Sequence, residues 1–332
     1  MITNDIEAYF LGLMYAKGDI LVLNDDFIEF KINIKFRRPN DESIRKDNIY
    51  TKVSKNDSGK EKLESRFTRD LYTIAEEFNR NFDCDFKIIL DAHGESDGWG
   101  KKTMSIISRP IKNNNEKFTS LFCVDKLDEK TLKKFPFELN IHNSKKYSLA
   151  FVQGVCDAAS LIPNEASSQN GGNGNPRIQI EPNQDRWELC IGLCQAFQDG
   201  LNIRVNNINW GHPQIRTSWK GQNHQFRVSL NDIPNEIQLY RLSYKLDEYD
   251  NLYKRSGIQY NPSQYLCPLN KKGIHRGDTI KISKSTLEDL NNSLLHKNLR
   301  GLSIDVSGKK SIIVCYLMGC KKCREFVNIN ID

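Results

Sequence analysis

Two apolar segments with a glycine at the same internal position, residues 9–20 (YFLGLMYAKGDI) and 151–162 (FVQGVCDAASLI), stand 142 positions apart, with Gly12 matching Gly154. An internal repeat constrains architecture before any single residue is interpreted, because each copy must fold as the same unit. The order of elements repeats too: helix, strand pair, helix, strand pair. In the first half a helix over 5–16 closes at Gly18, and strands over 20–23 and 27–36 flank the turn residues Asn24, Asp25 and Asp26. A helix over 65–80 carries Phe67, Leu71, Ile74, Ala75 and Phe78 at helical spacing, and strands over 86–90 and 102–108 complete the half. The second half gives a helix over 146–158, a strand over 177–181, a helix over 185–197, and strands over 203–208, 214–219 and 225–230. The Gly-, Asn- and Ser-rich stretch 164–175 reads as a loop. Four regions result: a first repeat over 1–114, a helical linker over 115–144 with a helix at 117–127, a second repeat over 145–234, and a C-terminal module over 235–332.

Length and composition agree with a folded chain of two or three domains: 332 residues, 38% hydrophobic, 10% aromatic and 27% charged. The balance of 48 Lys+Arg against 42 Asp+Glu gives +6, which permits a polyanionic partner without requiring one. The opening MITNDIEAYF does not resemble a signal peptide, and no apolar run reaches the ~18 residues that span a bilayer. The expectation is a soluble protein, cytoplasmic or otherwise intracellular. Nine cysteines, an odd number spread over a long chain, argue for reduced thiols rather than a disulfide framework.

Strand alternation separates a core face from an open face. Ile28, Phe30, Ile32, Ile34 and Phe36 point one way, and Glu29, Lys31, Asn33, Lys35 and Arg37 the other. Arg177, Gln179 and Glu181 alternate with Ile178 and Ile180, and Gln225, Arg227 and Ser229 with Phe226, Val228 and Leu230. A plain solvated sheet face gives the same pattern.

The two repeat-opening segments resemble the LAGLIDADG motif of homing endonucleases in its single-chain, two-repeat form, and the order of elements over roughly residues 5–230 is similar to that family's halves. The resemblance implies an α+β fold in which two pseudo-symmetric αββαββα half-domains form a saddle of antiparallel sheets, the motif helices packing through Gly12 and Gly154. It implies a monomer with an internal pseudo-two-fold axis that reads double-stranded DNA. Lys31, Asn33, Lys35, Arg37, Arg177, Gln179, Arg204, Arg216, Lys220, Gln225 and Arg227 would contact bases and phosphates.

In that family the last acidic residue of each motif helix holds a divalent metal at the scissile phosphates. Here those positions are Lys17 and Ala159, neither of which can ligate Mg²⁺. Asp19 and Asp157 survive nearby, but off the position the chemistry requires. Glu29 and Lys31 have the E-x-K spacing of another nuclease class, which any charged open face also produces. Asp91, His93, Glu95 and Asp97 lie in DAHGESDG, a metal loop by residue type and equally a polar turn. Cys320 and Cys323 form a C-x₂-C knuckle; with Cys267 and His275 they could hold a structural zinc, the alternative being unrelated thiols.

Three functions compete on these residues. The first is a sequence-specific DNA-binding protein without cleavage activity. The second is an active Mg²⁺-dependent site-specific endonuclease, homing or restriction in type, using substituted carboxylates. The third, a protein-interaction module, is disfavoured by the basic residues of the open faces, Lys31, Lys35, Arg37, Arg177, Arg204, Arg216, Lys220 and Arg227.

Overall fold

The first helix, α1 (Asp5–Lys17), is buried on every side over residues 8–16, the signature of a helix at the centre of a protein. Its start is set locally. The Asn4 side chain accepts the Glu7 N–H at 3.0 Å, and the Glu7 carboxylate accepts the Thr3 N–H at 2.7 Å. The chain passes straight from α1 into β1 (Gly18–Val22) and returns in β2 (Phe27–Arg37) through an Asx turn, in which Asn24 Oδ1 accepts the N–H groups of Asp26 and Phe27. A separate antiparallel pair, β3 (Lys52–Lys55) and β4 (Glu61–Glu64), precedes α2 (Arg66–Phe82). Strands β5 (Phe86–Leu90), β6 (Lys101–Ser108) and the short β7 (Ile111–Lys112) complete the first half. This computed structural model describes residues 2–37, 52–55, 61–64, 66–90, 101–162, 176–182, 186–203, 205, 207–209, 225–257, 259–260, 279–282 and 328–331.

After α3 (Glu116–Phe122), the second half begins with α4 (Lys145–Ala159) and runs through β8 (Ser160–Leu161), β9 (Arg177–Ile180), α5 (Trp187–Cys194), β10 (Asn207–Asn209) and β11 (Gln225–Ser229). Then come α6 (Ser243–Ser256) and a parallel pair, β12 (Thr279–Ile282) with β13 (Asn328–Ile331).

The chain is thus a mixed α+β protein with antiparallel main sheets, as expected. The first sheet has the order β1-β2-β6-β5, with β7 also on β2, and the second has β8-β9-β11-β10. Ranked among the four strands of each main path, leaving out β7, both orders are first, second, fourth, third. The two helices meet at the paired glycines. A Cβ on Gly12 would lie 2.2 Å from Phe151 O and 3.0 Å from Val155 N, and one on Gly154 would lie 2.2 Å from Tyr9 O and 2.9 Å from Leu13 N. Tyr9 matches Phe151 and Leu13 matches Val155, so the two contact sets interchange under the 142-residue shift.

Several boundaries differ from the sequence expectation. The linker helix stops at Phe122 rather than 127, because Cys123 takes a left-handed conformation with φ 53°. Helix α5 gives way at Cys194 to a wider π-helical turn over Gln195–Gly200. The next strand starts at Asn207 instead of 203: the Ile203 N–H is taken by Phe197 O at 2.8 Å, and both Ile203 and Val205 are buried against the core. Strand β8 was not anticipated; its two residues pair with β9. The expected strand at 214–219 lies outside the described residues.

Asp157, one of the surviving acids, lies inside the core rather than on an open face. It is fully buried, because its carboxylate accepts Tyr9 OH at 2.8 Å, Arg241 N–H at 3.1 Å and Leu242 N–H at 3.3 Å, just ahead of α6. Asp70 of α2 accepts the Ser243 N–H and hydroxyl, and Arg241 pairs with Glu77 while its guanidinium stands 4.4 Å from the Tyr9 ring centre. Leu239, Tyr240, Leu242, Tyr244 and Leu252 join the same buried core as both repeats. A chain ended at residue 234 would open that core and leave Asp157 without two of its donors. Such a truncation is expected to be insoluble or to lack a cooperative thermal transition, as circular dichroism would show; a two-state transition near that of the full chain would contradict this packing.

Candidate nucleic-acid interface

On the first sheet the strand register sets Asp19 opposite Lys31 and Lys31 opposite Ile107, with Lys87 on the far side of Ile107. The next row is Asn33 and Ser105, then Ile89. Two hydrogen bonds fix the Asn33 amide: its Nδ2 donates to Asp19 Oδ2 at 3.2 Å and its Oδ1 accepts from Ser105 Oγ at 2.8 Å. Glu29 opposes Leu21 at the edge, so the E-x-K pair does lie on one open face. That face mixes both charges with the exposed apolar groups Leu21 and Ile89. Lys35 pairs with Thr103 and Arg37 with Lys101 in the ladder; their side chains lie outside the described residues.

The second sheet carries a matching row, Leu161, Gln179, Arg227 and Asn207. Arg227 Nε donates to Gln179 Oε1 at 2.9 Å, and Gln179 Nε2 donates to Glu181 Oε1 at 2.7 Å, so the guanidinium is oriented before any partner arrives. Burial, and then the neighbouring Arg177, lower the pKa of Arg227 from its usual value. Gln225 pairs with Asn209 at the sheet's end. The Gln225 side chain, together with Arg204, Arg216 and Lys220, lies outside the described residues.

Between the sheets the carboxyl ends of α1 and α4 form a seam, since each helix runs directly into the edge strand of its own sheet. Lys17 reaches across it to donate to Glu181 O at 3.2 Å. Arg186, at the entrance to α5, reaches back to donate to Met14 O, Tyr15 O and Gly18 O. Ala159 is buried, and its carbonyl accepts the Glu181 N–H at 3.1 Å. Asp19 is exposed at this seam, but it lies 3.5 Å from Arg186 Nη2 and accepts from Asn33. Among the described residues no group of three or more His, Cys, Asp or Glu could hold a metal ion. The side chains at the seam are one ammonium, one methyl group, the Asp19 carboxylate beside Arg186 and the Glu181 carboxylate, which accepts from Gln179. Asp91, His93, Glu95 and Asp97, and the zinc candidates Cys267, His275, Cys320 and Cys323, lie outside the described residues.

Lys87 on the open face, Arg186 at the seam and the buried Lys245, whose Nζ donates to Cys156 O and Ser160 O at the end of α4, were not singled out from the sequence. Lys87 was legible in principle, as the charged alternate position of the 86–90 strand; the two buried cations were not.

No family model matches the sequence, and no curated protein does. Solved structures that align with it carry the LAGLIDADG fold. One is the N-terminal LAGLIDADG domain of WhiA, at 12% identity and a TM-score of 0.34, covering 77% of this chain and 83% of that one. Another is the I-LtrWI LAGLIDADG homing endonuclease bound to target DNA, at 11% identity and 0.36, covering 76% and 90%. A third is the meganuclease I-AabMI bound to uncleaved DNA, at 10% identity and 0.31, covering 94% and 97%. Similarity at this level assigns no activity. No helix among the described residues is long and apolar enough to cross a membrane.

Proposed function

We propose that this chain is a sequence-reading double-stranded DNA-binding protein that holds a duplex against its two sheets without cutting it. The carrying observation is the repeated strand order. Two antiparallel sheets with the same main-path strand order grow from the ends of one closely packed helix pair, and each presents hydrogen-bonding side chains on its open face, Lys31 and Asn33 on one and Gln179 and Arg227 on the other. Antiparallel ribbons fit the major groove, where Asn and Gln match adenine and Arg matches guanine. One chain supplies both sheets, so the protein acts as a monomer. We propose separately that Cys267, His275, Cys320 and Cys323 hold a structural zinc, and metal analysis of fresh protein without zinc would remove that site alone.

The test is selection of bound duplexes from a random library, with and without Mg²⁺, scored for retention and for strand breaks. One sequence class should be retained with both strands intact in either condition. Specific breaks lost on Glu29→Ala would instead establish the endonuclease. Affinity for the selected duplex should fall with salt, by roughly 10³-fold or more between 50 and 200 mM if six or more phosphates are contacted. Lys31→Ala, on the open face, should reduce that salt slope and weaken binding while leaving thermal stability unchanged. A flat salt response would count against the proposal.

A further inference from the structure

Each of the two paired helices ends on a buried cation. Arg186 is only 7% exposed, and its Nη1 donates to Met14 O at 3.0 Å and Tyr15 O at 3.2 Å while its Nη2 donates to Gly18 O at 2.6 Å. Lys245 is 6% exposed, and its Nζ donates to Cys156 O at 2.9 Å and Ser160 O at 3.1 Å. Met14 and Gly18 match Cys156 and Ser160 under the 142-residue shift, so the acceptors are equivalent. The donors are not: Arg186 comes from the entrance to α5 and Lys245 from α6. Repetition of sequence therefore does not explain why a cation stands at both places.

Capping alone is a weak reason for them. A helix carboxyl end is ordinarily satisfied by a glycine turn, water or an exposed lysine, whereas burying a charge costs several kcal/mol. We infer that Arg186 and Lys245 are fixed positive charges beneath the seam that hold the central phosphates of a bound duplex where a divalent metal would otherwise be needed, an inference that rests on the DNA-binding reading above. A bare helix carboxyl end presents about half a negative charge, which repels phosphate. A buried cation offsets that sign, Arg186 with Asp19 3.5 Å away and Lys245 with Asp157 as its nearest counter-charge, and its field is screened by salt less than that of a surface lysine. Lys17 adds a third charge on the same seam, where the carboxylates are Asp19, paired with Arg186, and the half-buried Glu181, which accepts from Gln179. The two buried side chains act through their field rather than by contact, so they are positioning residues.

The experiment uses the full chain and its selected duplex in EDTA, with the central phosphates either native or replaced by neutral methylphosphonates. The wild-type protein should lose about tenfold in affinity or more on the neutral backbone, and added Mg²⁺ at matched ionic strength should not raise its affinity for native DNA. Arg186→Gln and Lys245→Gln should bind native DNA more weakly and respond to the methylphosphonates less than about threefold, while Arg186→Lys regains wild-type sensitivity. A merely structural role would weaken binding to both duplexes alike. Wild-type indifference to the neutral backbone, or full sensitivity in the Gln variants, overturns the inference. If a Gln variant does not fold, the wild-type comparison and Arg186→Lys decide it. Failure to bind any duplex would sink the DNA reading itself, whereas binding that ignores the central charges would sink this inference alone.

Discussion

Gly12→Ala and Gly154→Ala are each expected to destabilise the protein by about 3 kcal/mol or more, at the upper end of what overpacking a core costs. The added methyl carbon would stand 2.2 Å from a backbone carbonyl oxygen, Phe151 O in one case and Tyr9 O in the other. A side chain could rotate away, but a carbonyl inside a helix cannot without breaking its own ladder. The only relief is for α1 and α4 to move apart, which loosens the buried surface along both. One separation accommodates either methyl group, so the double variant should cost clearly less than the sum of the two single ones. Denaturant midpoints of the four proteins measure this. Full additivity, or single losses under about 1 kcal/mol, would mean that the helices are not held at backbone distance.

That helix pair was legible through the resemblance of its two glycine-bearing segments to a motif whose helices pack together, and a small residue at each contact is what close approach requires. The open faces were equally readable, since strand alternation is local: Lys31, Asn33, Gln179 and Arg227 sit where the period of two puts them. What failed to show was everything decided across long separations. Arg186 bonds to carbonyls about 170 residues earlier in the chain, and nothing near position 186 announces it. Lys245 stands in a segment read as the start of a separate module, yet α6 is built into the core between α2 and α4. The burial of Asp157 was hidden for a related reason. Its neighbours Cys156 and Ala158 are small and buried, a hint that the helix offers no solvent-facing side there, but the partners that justify a buried carboxylate come from residues 9, 241 and 242.

Asp157→Ala should destabilise the protein by about 3–5 kcal/mol at neutral pH, as when one member of a buried charged set is removed. Three donors would be left without their acceptor: Tyr9 OH and the N–H groups of Arg241 and Leu242. The buried Lys245 ammonium would lose the nearest compensating charge on α4. The acid itself carries a pH signature. Burial lifts its pKa from 3.8 to about 6, against the opposing pull of Lys245, Tyr9 and the two backbone donors. A carboxyl whose folded pKa is raised binds its proton more tightly in the folded state, so between pH 3.8 and about 6 the native protein holds more protons at this site than the unfolded chain. Its contribution to stability therefore decreases as pH rises through that window and levels off above it. Asp157→Asn keeps the shape but cannot titrate, so the stability difference between wild type and Asp157→Asn should change across this window and be flat above about pH 7. Chemical denaturation of both proteins from pH 4 to 8 gives that difference directly. A difference that does not vary with pH would mean that Asp157 titrates as an ordinary exposed carboxylate and that Arg241, Leu242 and α6 are held by other contacts.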